Sequence, residues 1–146
     1  MTHAESNRPR TVIPIDASPL LAEQFDRTLV TGLRHTLGAC VERAGLKGQR
    51  LDDFVLAVNE LITNAVRHGG GSGEVRLWVT PEMVLCEVTD AGGGIGAERL
   101  NNHDRPNPDV AGGWGLWLAD QLSDTMAVTT GAAGTTVRIG ARLDAA

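Results

Sequence analysis

Glu60-Leu-Ile-Thr-Asn64 sets a carboxylate and a carboxamide four residues apart. In a helix that spacing puts the two side chains next to each other on one face. A carboxylate so placed can take a proton from an attacking hydroxyl, and an amide oxygen is a suitable hard ligand for a divalent cation. Arg67 and His68 bring further polar groups to the same end of the segment. Asp90-Ala-Gly-Gly-Gly-Ile-Gly96 is a second candidate. An acid at a strand end followed by glycines lets backbone approach a ligand while one carboxylate fixes its orientation. Gly112-Gly-Trp-Gly-Leu116 is a third, because glycine amides at a helix N-terminus form an anion site. Each has an ordinary alternative: a solvated helix back, an Asp–Gly turn, and a glycine placed before a helix for steric reasons.

The elements that must position these residues follow from periodicity. Thr11-Val-Ile-Pro-Ile15 reads as a short edge strand, since Pro14 has no N–H for a ladder. Ser18-Pro19 suits a helix start. Leu21, Phe25, Leu29, Leu33, Leu37, Val41 and Ala44 then mark one long amphipathic helix ending near Gly45. A second helix runs from about Leu51 to His68, with its apolar stripe on Leu51, Phe54, Val55, Val58, Leu61, Ile62, Ala65 and Val66. At about 100° per residue, Glu60, Asn64 and Arg67 lie opposite that stripe. The period then changes to two. Residues 74–80 and 84–90 alternate as strands about a turn at Pro81-Glu82, and 126–130 with 135–143 form a last hairpin. Trp114 to Ser123 reads as a third helix, after a short turn of helix and a breaker-rich Asn/Pro loop within 97–112. Helices first and hairpins after predict an α+β fold, a two-layer sandwich with a mostly antiparallel sheet and helices on one face.

The composition limits what this fold can serve. At 146 residues the chain amounts to one domain, read as a flexible N-terminus over 1–10 and a domain over 11–146. A formal charge of −5 argues against nucleic acid as the main partner. Lys47 is the sole lysine and is followed by Gly48, so no glycine-rich phosphate loop of the G-x-x-x-x-G-K type exists. Cys40 and Cys86 stand alone, which disfavours a disulfide framework or a structural zinc. No apolar run is long enough for a membrane span, and residues 1–10 lack the apolar stretch of a signal peptide. The expected location is a reducing cytoplasm. The eighteen glycines gather mainly at 69–73, 92–96, 112–115 and 131–134 without a period, so they are not a repeat.

Taken together, the segments form a known pattern. Glu60-Leu-Ile-Thr-Asn64-Ala-Val-Arg-His68 resembles the N box of the GHKL (Bergerat-fold) ATPase/kinase superfamily. Asp90-Ala-Gly92-Gly-Gly94 resembles its D-x-G-x-G box, Gly113-Trp-Gly115-Leu116 its G-x-G-[LM] box, and Gly134-Thr135 its final Gly-Thr. The order of the boxes and the E-x-x-x-N-A-V-R-H segment look most like the anti-sigma factor serine/threonine kinases. The resemblance implies ATP and Mg²⁺ as cofactors, with Asn64 ligating the metal and Glu60 acting as general base. It implies Asp90 on the adenine amine, Gly92 and Gly94 making room for the ring, and 96–112 as a lid. Gly113, Gly115 and Leu116 would hold the phosphates through their amides. Arg67 would add positive charge near them or stand as a surface arginine, and Thr135 or Thr136 would reach the adenine through water. The implied partners are a sigma factor and a serine-bearing antagonist protein, with the chain a homodimer through its first strand and helix. Two features depart from the family pattern: Trp114 and Trp117 are bulkier than this box usually holds, and the expected lid is short and contains Pro106 and Pro108.

Two other readings compete. One is an ATP-loaded switch or adaptor without transfer activity, against which the retained Glu60 argues, since binding alone needs no base. The other takes Gly92-Gly-Gly94-Ile-Gly-Ala97 as the G-x-G-x-x-[GA] of a dinucleotide fold. That motif needs a helix straight after the glycines and a parallel βαβ unit, and the chain offers hairpins instead.

Overall fold

The computed structural model describes residues 4–5, 18–68, 70–90, 114–131 and 134–143. Among the described residues six strands form one sheet: β1 (Ala4–Glu5), β2 (Leu21–Asp26), β3 (Ser72–Val79), β4 (Met83–Asp90), β5 (Thr125–Gly131) and β6 (Gly134–Arg142). Their spatial order is β1-β5-β6-β4-β3-β2, and every neighbouring pair is antiparallel. Among the described residues three helices, α1 (Val30–Ala44), α2 (Gly48–His68) and α3 (Trp114–Gln121), pack over the sheet, with α2 against both of the others. The expected two-layer α+β sandwich is what forms. A hairpin turn at 80–82 joins β3 to β4, β5 and β6 pair antiparallel, and no parallel βαβ unit occurs among the described residues. The context that a dinucleotide motif requires is therefore missing there.

Strand parity assigns the faces. Val75 and Leu77 of β3, Val84, Cys86 and Val88 of β4, and Val137 and Ile139 of β6 point to the helices and join Phe54, Val58, Leu61 and Ile62 in one core. The alternate positions point the other way. There Arg138 donates from Nε and Nη2 to the Glu87 carboxylate at 2.9 and 2.6 Å. A small apolar cluster of Trp78, Met83 and Leu85 shares that second face.

One expectation is corrected. The long first helix does not begin at Ser18-Pro19: residues 18–20 are irregular, 21–26 are strand β2, and the helix starts at Val30. Leu21 and Phe25 are four residues apart, a spacing that shares a face in a helix and in a strand alike. Pairing with β3, from Leu21↔Leu77 to Asp26↔Ser72, decides for the strand. Asp26 then closes it. Its carboxylate accepts from the Thr28 amide at 2.8 Å and the Thr28 hydroxyl at 2.6 Å, turning the chain into α1. From Leu33 onward the expected stripe holds, with Leu33, Leu37, Cys40 and Val41 buried and Gly45 closing the helix at φ 121°. The α2 stripe also holds, with its start three residues earlier, at Gly48. Ala4 and Glu5, inside the stretch expected to be flexible, pair with Val128 and Ala127. A backbone ladder needs no apolar side chains, so composition carries no trace of it. The edge strand expected at Thr11–Ile15 lies outside the described residues.

Candidate functional site

The site is built at one end of the sandwich. Helix α2 ends at His68 and β3 begins at Ser72, so the last turn of α2 and the first residues of β3 share that end. Gly73 of β3 pairs with Asp90 at the end of β4, and Asp90 pairs in turn with Thr135 near the start of β6. Thr135 faces Thr130 of β5. By parity with Cys86 and Val88, Asp90 rises on the helix-covered side, and so does Thr135 by parity with Val137 and Ile139. Asp90 is half-buried. Thr135 is buried, and its hydroxyl lies 2.8 Å from that of Thr130.

Glu60 and Asn64 are brought to the same end by α2. Both are half-buried, on a flank of the helix between the fully buried Ala57 and Leu61 and the exposed back. This refines the expectation that they lie opposite the apolar stripe. The packing of α3 covers part of what the helical wheel leaves bare. Asp53, two turns before Glu60 and on the same line of the helix, borders a cavity of about 180 Å³ with Gln121, Leu122, Ser123 and Asp124 at the C-terminal end of α3. Strand β5 starts four residues after α3 ends, at the sheet end opposite Asp90. Helices α2 and α3 therefore run antiparallel. The N-terminal turn of α3, with Gly115 and the buried Leu116, comes alongside Glu60 and Asn64. The positive end of the α3 dipole faces the same end of the sandwich.

Arg67 departs from that grouping. It is exposed, and with Thr63 and Val66 it lines a cavity of about 670 Å³ on the α1 side, where Arg27 and Val30 complete the wall. Arg27 carries a second guanidinium into that cavity, and no motif in the sequence points to it. Gly92, Gly94 and Gly113, and the 96–112 segment expected to be a lid, lie outside the described residues. Among the described residues no group of His, Cys, Asp and Glu has the arrangement of a metal site. A divalent ion would depend on the Asn64 amide oxygen and on oxygens brought by a ligand, which suits a phosphate-bound cation and not a resident protein cage. A half-buried carboxylate facing the helices, a part-buried hydroxyl pair and a helix N-terminus at one end fit a nucleotide with its base over the sheet and its phosphates by the helices. Among the described residues no helix is long and apolar enough to cross a membrane.

This combination of sheet order, helix layer and site end defines a histidine kinase-like ATPase domain. A family model of that description matches residues 24–140, and the chain belongs to that family, within the GHKL superfamily near its anti-sigma factor kinases. Among individual proteins, it is similar to the serine-protein kinase RsbW of Staphylococcus epidermidis, 30% identical over 112 residues, covering 68% of this chain and 70% of that one. The serine-protein kinase RsbW of Oceanobacillus iheyensis is 28% identical over 107 residues, covering 65% and 68%. Among solved structures, the mycobacterial sensor histidine kinase MprB superposes with a TM-score of 0.53 at 20% identity, covering 84% of this chain and 97% of that one. The histidine kinase domain of the Erythrobacter litoralis EL346 blue-light activated histidine kinase gives 0.53 at 21% identity, covering 78% of this chain. This chain spans 61% of that structure's length. These two likenesses concern the fold.

Proposed function

We propose that the protein is an ATP-dependent serine kinase of the anti-sigma factor type, which phosphorylates a serine of an antagonist protein and regulates transcription through a sigma factor. The observation that carries this reading is the joint placement of Glu60 and Asn64 beside the α3 N-terminus, at the sheet end that carries Asp90. Bound Mg²⁺–ATP supplies the transferable phosphoryl group and neutralises much of its charge. Asn64 gives its amide oxygen to the metal, and the amides of Gly113, Gly115 and Leu116 hold the phosphates. Asp90 accepts from the exocyclic amine of adenine, with Gly92 and Gly94 leaving room for the ring and Thr135 reaching the adenine through water. Glu60 takes the proton of the acceptor serine hydroxyl as the serine Oγ–phosphorus bond forms and the bond to the bridging oxygen of ADP breaks. Arg67 adds positive charge toward the phosphates from the α1 side. The chain works as a homodimer in the cytoplasm, with the sigma factor and the antagonist as alternative partners.

The test is incubation with γ-labelled ATP, Mg²⁺ and candidate antagonist proteins. Label on an acceptor serine is the expected result. Sustained ATP binding with neither transfer nor hydrolysis would replace this reading with that of an ATP-loaded adaptor.

A further inference from the structure

One cross-strand row runs through the site on the helix-covered face: Phe25, Gly73, Asp90, Thr135 and Thr130 are successive partners from β2 to β5. Phe25 is 2% exposed. A Cβ built on Gly73 would lie 2.7 Å from Phe25 Cζ and 3.2 Å from its Cε2. The ring therefore occupies the space that a side chain at position 73 would fill. Side chains directly opposite on paired strands stand roughly 4.5–5.5 Å apart at Cβ. The Phe25 ring thus stands in the place beside Asp90 that a side chain at position 73 would take in this row. The same virtual Cβ would meet the Thr89 carbonyl oxygen, so no side chain can displace the ring cheaply.

We infer that Phe25 is a positioning residue for the base of the nucleotide, reaching Asp90 through the gap that Gly73 leaves. This rests on the ATP-site reading above and deepens it. The ring is an apolar wall on one side of Asp90. It keeps water from that side and limits the directions in which the carboxylate can turn. A carboxylate held in one direction accepts well from an exocyclic amine and repels a carbonyl oxygen at the same place. Adenine presents the amine there and guanine the carbonyl. The wall thereby converts a single carboxylate into a discriminator between the two purines. Without it, water can enter and bridge the carboxylate to either base, which relaxes the choice.

The experiment titrates ATP and GTP by calorimetry into the wild-type chain, Asp90→Asn and Phe25→Leu, with a melting temperature for each. Loss of ATP affinity in Asp90→Asn first checks the site itself. Phe25→Leu should then weaken ATP binding by about tenfold and reduce the ATP-over-GTP preference by a similar factor. If Phe25→Leu lowers the melting temperature but keeps the purine preference, Phe25 serves core packing alone and the inference fails while the ATP site stands. If Asp90→Asn binds ATP as the wild type does, the site reading itself fails. Phe25→Met, whose long flexible side chain fills irregular space without a rigid ring, carries the same readout where the Leu variant does not fold.

Discussion

Glu60 and Asn64 are neighbours with different tasks, so their variants should separate. Glu60→Ala should leave Mg²⁺–ATP affinity nearly intact, because a general base acts on the acceptor hydroxyl and not on the bound nucleotide. Phosphoryl transfer should fall by about 10²–10⁴-fold. Asn64→Ala should weaken nucleotide binding and transfer together, since the metal contact persists from ground state to transition state. Equal phenotypes in a binding and transfer assay would mean that the two roles are misassigned. Asp26 offers a test away from the site. Hydrogen bonds from the Thr28 hydroxyl and then the Thr28 amide hold its carboxyl below the usual carboxylate value of 3.8. The charged form is favoured in the folded chain, so its contribution is complete above that value and is lost as pH falls through the lower folded one. The stability gap between wild type and Asp26→Asn in urea titrations should be flat from neutral pH to about 5 and close below 3.8. A gap that widens on acidification would contradict the turn geometry.

At the scale of elements, close approach between strands is decided by glycines. Gly140 of β6 stands opposite Thr125 on one side and Leu85 on the other. An added Cβ would lie 2.6 Å from Thr125 Oγ1 and 2.9 Å from both Leu85 Cδ2 and Met83 Cε. Leu85 is fully buried and Met83 nearly so, which leaves little room to yield. Gly140→Ala should destabilise the chain by about 1–3 kcal/mol through overpacking. Position 140 is at the sheet end away from Asp90, so ATP affinity of the folded variant should be unchanged in the same calorimetry. A variant as stable as the wild type would show that the Trp78–Met83–Leu85 cluster is loosely packed. The α2 stripe was legible from period alone, because a buried helix face forces apolar residues to recur about every 3.6 positions. The β2 segment was not, since Leu21 and Phe25 fit both periods and the hydrogen bonds that choose between them come from β3, about fifty residues away.

For the whole molecule, two properties depend on how the sheet is closed. Cys86 is fully buried in β4, where burial, and secondarily the Glu87 charge, pushes its thiol well above the usual range. The thiolate is the reactive form, so N-ethylmaleimide with peptide mapping should label Cys86 only in denaturant. Labelling in native buffer at the rate of a free thiol would mean that β4 opens without global unfolding. The second property is assembly. Pairing of two chains through the first strand and helix should give a light-scattering mass near twice 15.4 kDa at micromolar concentration. A mass of one chain would reject the dimer.

By itself the sequence determined the fold class, the α2 stripe, the α1 stripe from Leu33 onward and the order of the four boxes, because these depend on local period and on residue type at short spacing. It placed Glu60 beside Asn64, since one helical turn guarantees that contact. Only the tertiary structure decided which flank of α2 they occupy, that Arg67 lines a cavity with Arg27 on the α1 side, and that the Phe25 ring fills the space over Gly73. The reason is physical. Those relations are set by strand register and helix packing between segments tens of residues apart, and a one-residue slip in register would reverse every one of the faces involved.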